Sequence, residues 1–385
     1  MDMSDKLVQR LQAIDALRGL VILLMLLDHV RETFFLHKQL SDPIDVAHTD
    51  PALFISRTLA HLCAPVFVFL TGLSAALYQQ KKQSREAVSL FLLKRGVVLI
   101  ALELTLVNFA WTFSFPPEVL YLQVIWAIGL SMLALSALLW LPLWAIAAVG
   151  VLLVAGHNLL DGIHAAPGSP WHLPWAILHD RGWIEIGDTL RMRTSYPLLP
   201  WVGVIALGYC AGQLWQPGWR SAQRGRALFA AAAGLLGLFA ALRLINGYGE
   251  KPWQAGATLG ESAMAFFNIT KYPPSLLFLC LTLGVGLTLL ALFERVEEKS
   301  RFIGWLAVFG SAPMFFYLLH LYVLKALYLL AEARWGKNQG DWFGFDAVWQ
   351  LWLCMLALAL LLWWPVRRFS RLKQQRRDIR WLKYF

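Results

Sequence analysis

Apolar residues along this chain come in blocks of about 20, the length a helix needs to cross a hydrocarbon core of about 30 Å. Each block is closed by a short polar or basic stretch. Ten blocks are read, near 14–34, 56–78, 92–112, 121–139, 143–160, 197–215, 227–246, 273–293, 304–330 and 346–365. The fourth and fifth are parted only by Leu141-Pro142. The pattern predicts an all-α fold, a polytopic transmembrane helical bundle of about ten spans. It divides the chain into a polar N-terminal segment 1–13, a membrane domain 14–365 and a basic tail 366–385.

Composition agrees with that class. Of 385 residues 58% are hydrophobic and only 15% charged, against about a quarter charged in a soluble domain. The first block contains Asp15, Arg18, Asp28 and His29 and lacks a small-residue cleavage site, so it reads as a retained first span rather than a signal peptide. Lys81, Lys82, Arg85, Lys94 and Arg95 form one basic connection, Arg220, Arg224 and Arg226 another, and the stretch from Arg367 to Lys383 a third. The 35–55 loop instead carries Asp42, Asp45 and Asp50. Alternation through ten spans puts every strongly basic segment on one face, which the positive-inside rule makes cytoplasmic. Both termini are then cytoplasmic in a multi-pass protein of the inner membrane.

Net charge changes little in this picture. The formal +10 is distributed as topology requires, not gathered on a folded basic face, so nucleic acid is excluded as a partner. The lipid bilayer is the partner, and the tail suits anionic headgroups. Cys63, Cys210, Cys280 and Cys354 each lie in an apolar stretch without metal-type spacing, and no metal is expected. Phosphate-loop, dinucleotide, HExxH and Gly-x-Ser-x-Gly signatures are missing from the sequence. Asn268-Ile-Thr270 fits a glycosylation sequon. Two outer stretches are long: 161–196, with His164, His172, His179, Asp180, Arg181, Glu185 and Asp188, and 247–272, with Glu250, Lys251, Glu261 and Lys271.

Candidate chemistry comes from ionisable residues inside the spans, where charge is costly and marks function by default. Arg18 and His29 are eleven residues apart, three helical turns plus about 20°, so they share a face at depths about 16 Å apart. Arg57 and His61, at i and i+4, share a face of the second span. His61 lies about five residues below the outer end, as His29 does. Asp28 adjoins His29 and is placed to pair with Arg31 or with a neighbouring helix. Glu103 and Asn108 lie in the third span, and His320 in the ninth. A buried Glu103 needs a cationic partner or a proton, and Arg18 is one candidate partner.

Ile14-Asp-Ala-Leu-Arg-Gly-Leu20 followed by His29 resembles the opening helix of the acyltransferase family 3 proteins, whose hallmark is an Arg, ten residues and a His. Over most of its length the chain looks closer to the bacterial relatives of heparan-α-glucosaminide N-acetyltransferase. The segments are Ala64 to Gly72, Tyr196-Pro-Leu-Leu-Pro-Trp201 and Asn268 to Leu277. The resemblance implies a membrane-embedded acyltransferase. It would move an acetyl or other short acyl group from cytoplasmic acetyl-CoA, or another acyl-CoA, to a glycan or amino-sugar acceptor at the outer face. Arg18 is then expected at the donor's phosphates, with Arg57 and Glu103 also assigned to donor binding. His29, oriented by Asp28, is expected to take the acceptor's proton. His61 or His320 would hold the thioester carbonyl or act as a second acid/base. In the lysosomal relative the catalytic His falls in the loop after the first helix, where this chain offers His37 or His48. The rival class is a transporter or channel for a small polar solute, which would not bind acyl-CoA.

Overall fold

The computed structural model describes residues 3–187, 190–297, 300–376 and 378–385. Asp188 of the long outer stretch, Met1 and Asp2 of the N-terminal segment and Arg377 of the tail lie outside the described residues. The first apolar block is α1 (Met3–Phe34). The second starts earlier than its apolar pattern. Asp50 accepts hydrogen bonds from the Ala52 and Leu53 amides and starts α2 (Pro51–Ala60), with Pro51 in the first turn. After a turn at His61 and Leu62 the chain continues as α3 (Cys63–Lys82). Ser84 Oγ caps α4 (Arg85–Leu102), which passes through five residues of π-helix, Glu103–Val107, into α5 (Asn108–Thr112). Then come β1 (Val119–Leu122), α6 (Val124–Leu138) and α7 (Leu143–Gly156). Pro142 precedes α7 directly, so the weak Leu141-Pro142 boundary does separate two helices.

The long stretch that follows contains α8 (His172–Leu178), β2 (Trp183–Ile186) and β3 (Leu190–Thr194). It is more than a connector. β3 pairs in parallel with β1 (Val119 opposite Arg191) and antiparallel with β2 (Trp183 opposite Arg193). The remaining elements are α9 (Leu198–Ala211), α10 (Ser221–Ile245), α11 (Leu259–Phe267), α12 (Leu276–Val296), α13 (Arg301–Ser311), α14 (Pro313–Trp335) and α15 (Val348–Gln375). The ninth block is therefore not one helix. Pro313 has no N–H to continue the ladder of α13 and instead opens α14, a position its fixed φ suits. Each of the ten blocks lies mostly on helical chain, although the fourth begins in β1 and the eighth just before α12. Among the described residues seven helical stretches are long and apolar enough to cross a membrane, with Val124–Leu138 a shorter apolar helix.

The chain forms two compact units: 1–63, 254–268 and 285–385 make the first, and 64–253 with 269–284 the second. In the first, α1 is deeply buried: Ala16, Val21, Ile22 and Leu26 have no exposed surface. Its main neighbour is α13. A Cβ on Gly19 would sit 1.9 Å from the Leu306 carbonyl oxygen, and one on Gly310 would sit 1.8 Å from that of Asp15. Only glycine allows this approach. Lipid tails are as apolar as leucine, so helices in a membrane are held by such close packing rather than by expulsion from water. The second unit repeats the device between α3 and α9, where Gly72 and Gly208 meet the Ile205 and Phe69 carbonyls. Asn268 spends its side-chain amide on both backbone groups of Ile44. The sequon there is a structural clasp, not a free acceptor.

Candidate active site

The candidate residues of the first unit gather where α1 meets α2 and α14. Asp28, His29, Arg31, Arg57, His61 and His320 are all buried. Asp28 is the hub of an ion cluster. One carboxylate oxygen accepts from Arg31 Nε at 3.0 Å, one turn along α1, and the other from Arg57 Nη1 of α2. A buried carboxylate shared by two guanidiniums has the hydrogen bonds that repay its desolvation. This pairing ties α2 to α1.

Asp28 is engaged by two arginines, and His29 faces His320. His29 Nδ1 lies 2.7 Å from His320 Nε2, with the rings nearly parallel. His320 Nδ1 lies 2.8 Å from the Phe316 carbonyl oxygen one turn back on α14. A carbonyl only accepts, so His320 Nδ1 carries a hydrogen and its Nε2, when the ring is neutral, has a lone pair. The hydrogen between the rings then belongs to His29 Nδ1. Phe316 stacks on His320, and the Tyr317 ring meets both imidazoles edge-on. These aromatic walls hold ring orientation and exclude water.

The other candidates are placed as follows. His61 lies buried at the bend between α2 and α3. Arg18 donates to Asp15 at 2.7 Å, and both are partly exposed. Glu103 belongs to the second unit and its partner is not Arg18. Its carboxyl group accepts the Trp126 amide in the first turn of α6, where the helix leaves amides unpaired. Asn108 bonds the Glu103 carbonyl and both backbone groups of Tyr121, which fixes β1 beside the π-helical turn. The bonds of Glu103 and Asn108 lie within their unit. His48 is exposed and pairs with Asp45, whereas His37 packs on Phe35. Burial, with Lys38 adding to it, lowers the His37 pKa below the ordinary histidine value. Residues that pattern reading missed are Phe316 and Tyr317. They look like any aromatic stripe in a span, and only their contact with two imidazoles distinguishes them.

Residues 10–242 match the family model described as the catalytic region of heparan-alpha-glucosaminide N-acetyltransferase. The matched stretch holds Arg18, Asp28, His29, Arg57, His61 and Glu103, and His320 lies beyond it. A search of curated proteins found no match. The match covers more than half of a chain whose helices suit a multi-pass membrane protein; the chain belongs to the heparan-alpha-glucosaminide N-acetyltransferase catalytic family.

Proposed function

We propose that this protein transfers an acetyl group from acetyl-CoA, supplied on the cytoplasmic side, to the amine or hydroxyl of an amino-sugar or glycan acceptor at the outer face of the inner membrane. Family membership supports the reaction class, and the His29–His320 pair is the observation that carries the site. His29 Nε2 takes the proton of the acceptor as its nitrogen or oxygen attacks the thioester carbonyl. The carbon–sulfur bond breaks, and the departing thiolate receives that proton as free CoA thiol. His320 keeps the reacting nitrogen of His29 defined by accepting from its Nδ1. The Asp28–Arg31–Arg57 cluster positions the outer half of α1 and is not itself the base. Arg18, partly exposed on the same helix toward the cytoplasmic side, suits the phosphates of the donor. His61 stands as the candidate for holding the thioester carbonyl, a contact of the kind that stabilises a developing oxyanion.

The test is acetyl-CoA-dependent acetylation of amino-sugar acceptors by the detergent-purified protein and its His29→Ala variant. Loss of a general base lowers turnover by about 10²–10⁴-fold, with acetyl-CoA still raising the melting temperature as a bound ligand should. Near wild-type turnover in the variant would sink the assignment of His29. Failure of acetyl-CoA to stabilise the protein would count against it as the donor and in favour of the rival solute-carrier class.

A further inference from the structure

The second unit holds a cluster that the acetyl-transfer reading does not use. His157 begins a short 3-10 turn at the end of α7, Asp161 closes that turn, and His179 ends α8. One ligand atom from each lies within 4.8 Å of the other two. His157 is 2% exposed, yet neither ring nitrogen has a hydrogen-bond partner. Burying an imidazole with both nitrogens unsatisfied costs free energy that a ligand would return. His179 is equally buried, and its Nε2 lies 3.0 Å from the His157 carbonyl oxygen and 3.4 Å from Asp161 Oδ1.

The groups behind these three are arranged as outer partners of metal ligands are. Asp180 Oδ1 lies 3.3 Å from His179 Nδ1, the position from which a carboxylate fixes the ring and leaves Nε2 for a metal. Asn158 donates to Asp161 Oδ2 at 2.8 Å, which leaves Oδ1 facing the histidines. Asn158 Oδ1 also accepts the Leu276 amide at the start of α12. Asp161 is about half exposed, which provides an entry path. Two imidazoles and one carboxylate select zinc and similar late first-row ions over magnesium or calcium. A tetrahedral zinc spaces its ligand atoms about 3.4 Å apart, given bonds of about 2.1 Å, so modest closure of the cluster suffices.

We propose that His157, Asp161 and His179 form a zinc-class cation site, with a fourth position open to water, that fastens the end of α7 to the 161–196 stretch. Zinc replaces the Nε2 proton of His179 and takes one nitrogen of His157.

The experiment uses the full chain carrying a tag without histidines, purified in detergent and stripped with EDTA. Zinc chloride is titrated by calorimetry, metal content is measured by mass spectrometry, and melting is followed with zinc and with magnesium. The expected result is one zinc per chain, a melting temperature raised by zinc and not by magnesium, and slower proteolysis of the 161–196 stretch in zinc. His157→Ala and His179→Ala abolish uptake, Asp180→Asn weakens it about 10–100-fold, and His48→Ala binds as wild type does. The half-exposed Asp161→Ala, which leaves the buried pair in place, decides the matter should either histidine variant fail to fold. Absence of stoichiometric zinc in the wild type overturns the proposal. So does wild-type zinc affinity in folded His157→Ala, His179→Ala or Asp161→Ala.

Discussion

The two buried histidine groups of this protein differ in what stands beside them. In the first unit His29 and His320 face each other and a backbone carbonyl. The nearby carboxylate, Asp28, is held by two arginines. In the second unit His179 stands against Asp161 and Asp180, and neither ring nitrogen of His157 has a hydrogen-bonding partner. The first arrangement fixes a tautomer. The second gathers anionic and lone-pair donors around a point, which is what a cation requires. On the roles proposed above, the same residue type would serve as a base beside imidazole and carbonyl and as a ligand beside carboxylate.

Replacing one histidine from each group separates the two arrangements most directly. His29→Ala should cost turnover about 10²–10⁴-fold, whereas His157→Ala should reduce zinc uptake and the stability of its own unit. Equal losses of turnover in the two variants, at equal stability, would show that both groups serve catalysis. Next in size is the ion cluster. Arg57→Met leaves the Asp28 carboxylate short of a partner in a buried place and should lower stability by about 3–5 kcal/mol, read by thermal or denaturant unfolding. Adding Asp28→Asn to that variant should restore much of the loss; no recovery would mean that Arg57 matters by packing rather than by charge. A smaller effect is expected for His320→Ala, about 10–100-fold in turnover, less than for loss of the base itself. The readout specific to positioning is the pH–rate profile, which should broaden or shift because the His29 tautomer is no longer held.

The smallest effect lies in the 161–196 stretch. His172 places Nε2 3.0 Å from the Trp183 carbonyl oxygen and Nδ1 3.1 Å from that of Ala165. Those two acceptors, Trp183 first, raise its pKa above the ordinary histidine value, since only the doubly protonated ring satisfies both. A raised histidine adds stability that is fully present below the unfolded pKa of about 6.5 and is lost as pH climbs through the folded value. Amide protection between residues 165 and 183, corrected for the intrinsic base-catalysed rise of exchange, should therefore fall modestly as pH rises from about 6 to 8, and His172→Gln should flatten that dependence. Identical pH profiles for the variant and the wild type would remove His172 from the comparison.

Much of the first site was legible along one helix. The spacing of Arg18 and His29, and the pairing of Asp28 with Arg31 one turn away, follow from helical periodicity. Arg57 and His61 were visible as neighbours for the same reason. The His29–His320 bond was not legible, because its partners are 291 residues apart and nothing in either segment names the other. Glu103 was read as needing a cationic partner or a proton, and the helix N-terminus it meets supplies a hydrogen bond that no residue type advertises. The break at Pro313 was readable in principle from a proline inside an apolar run, and length alone hid it. Short strands in the 161–196 stretch escaped notice because each is four or five residues long and one pairs with a segment far away in sequence.

The sequence by itself determined the solvent this protein lives in, the helical character of every apolar block and the residues that would be costly to bury. These are local properties, set by hydropathy, rise per residue and charge. The tertiary structure alone decided which costly residues share their cost with which partner. Those choices depend on where helices cross, and the crossings depend on glycines such as Gly19 and Gly310 that admit a backbone to within touching distance. A hydrogen bond between two imidazoles is a property of that approach, not of either stretch of chain.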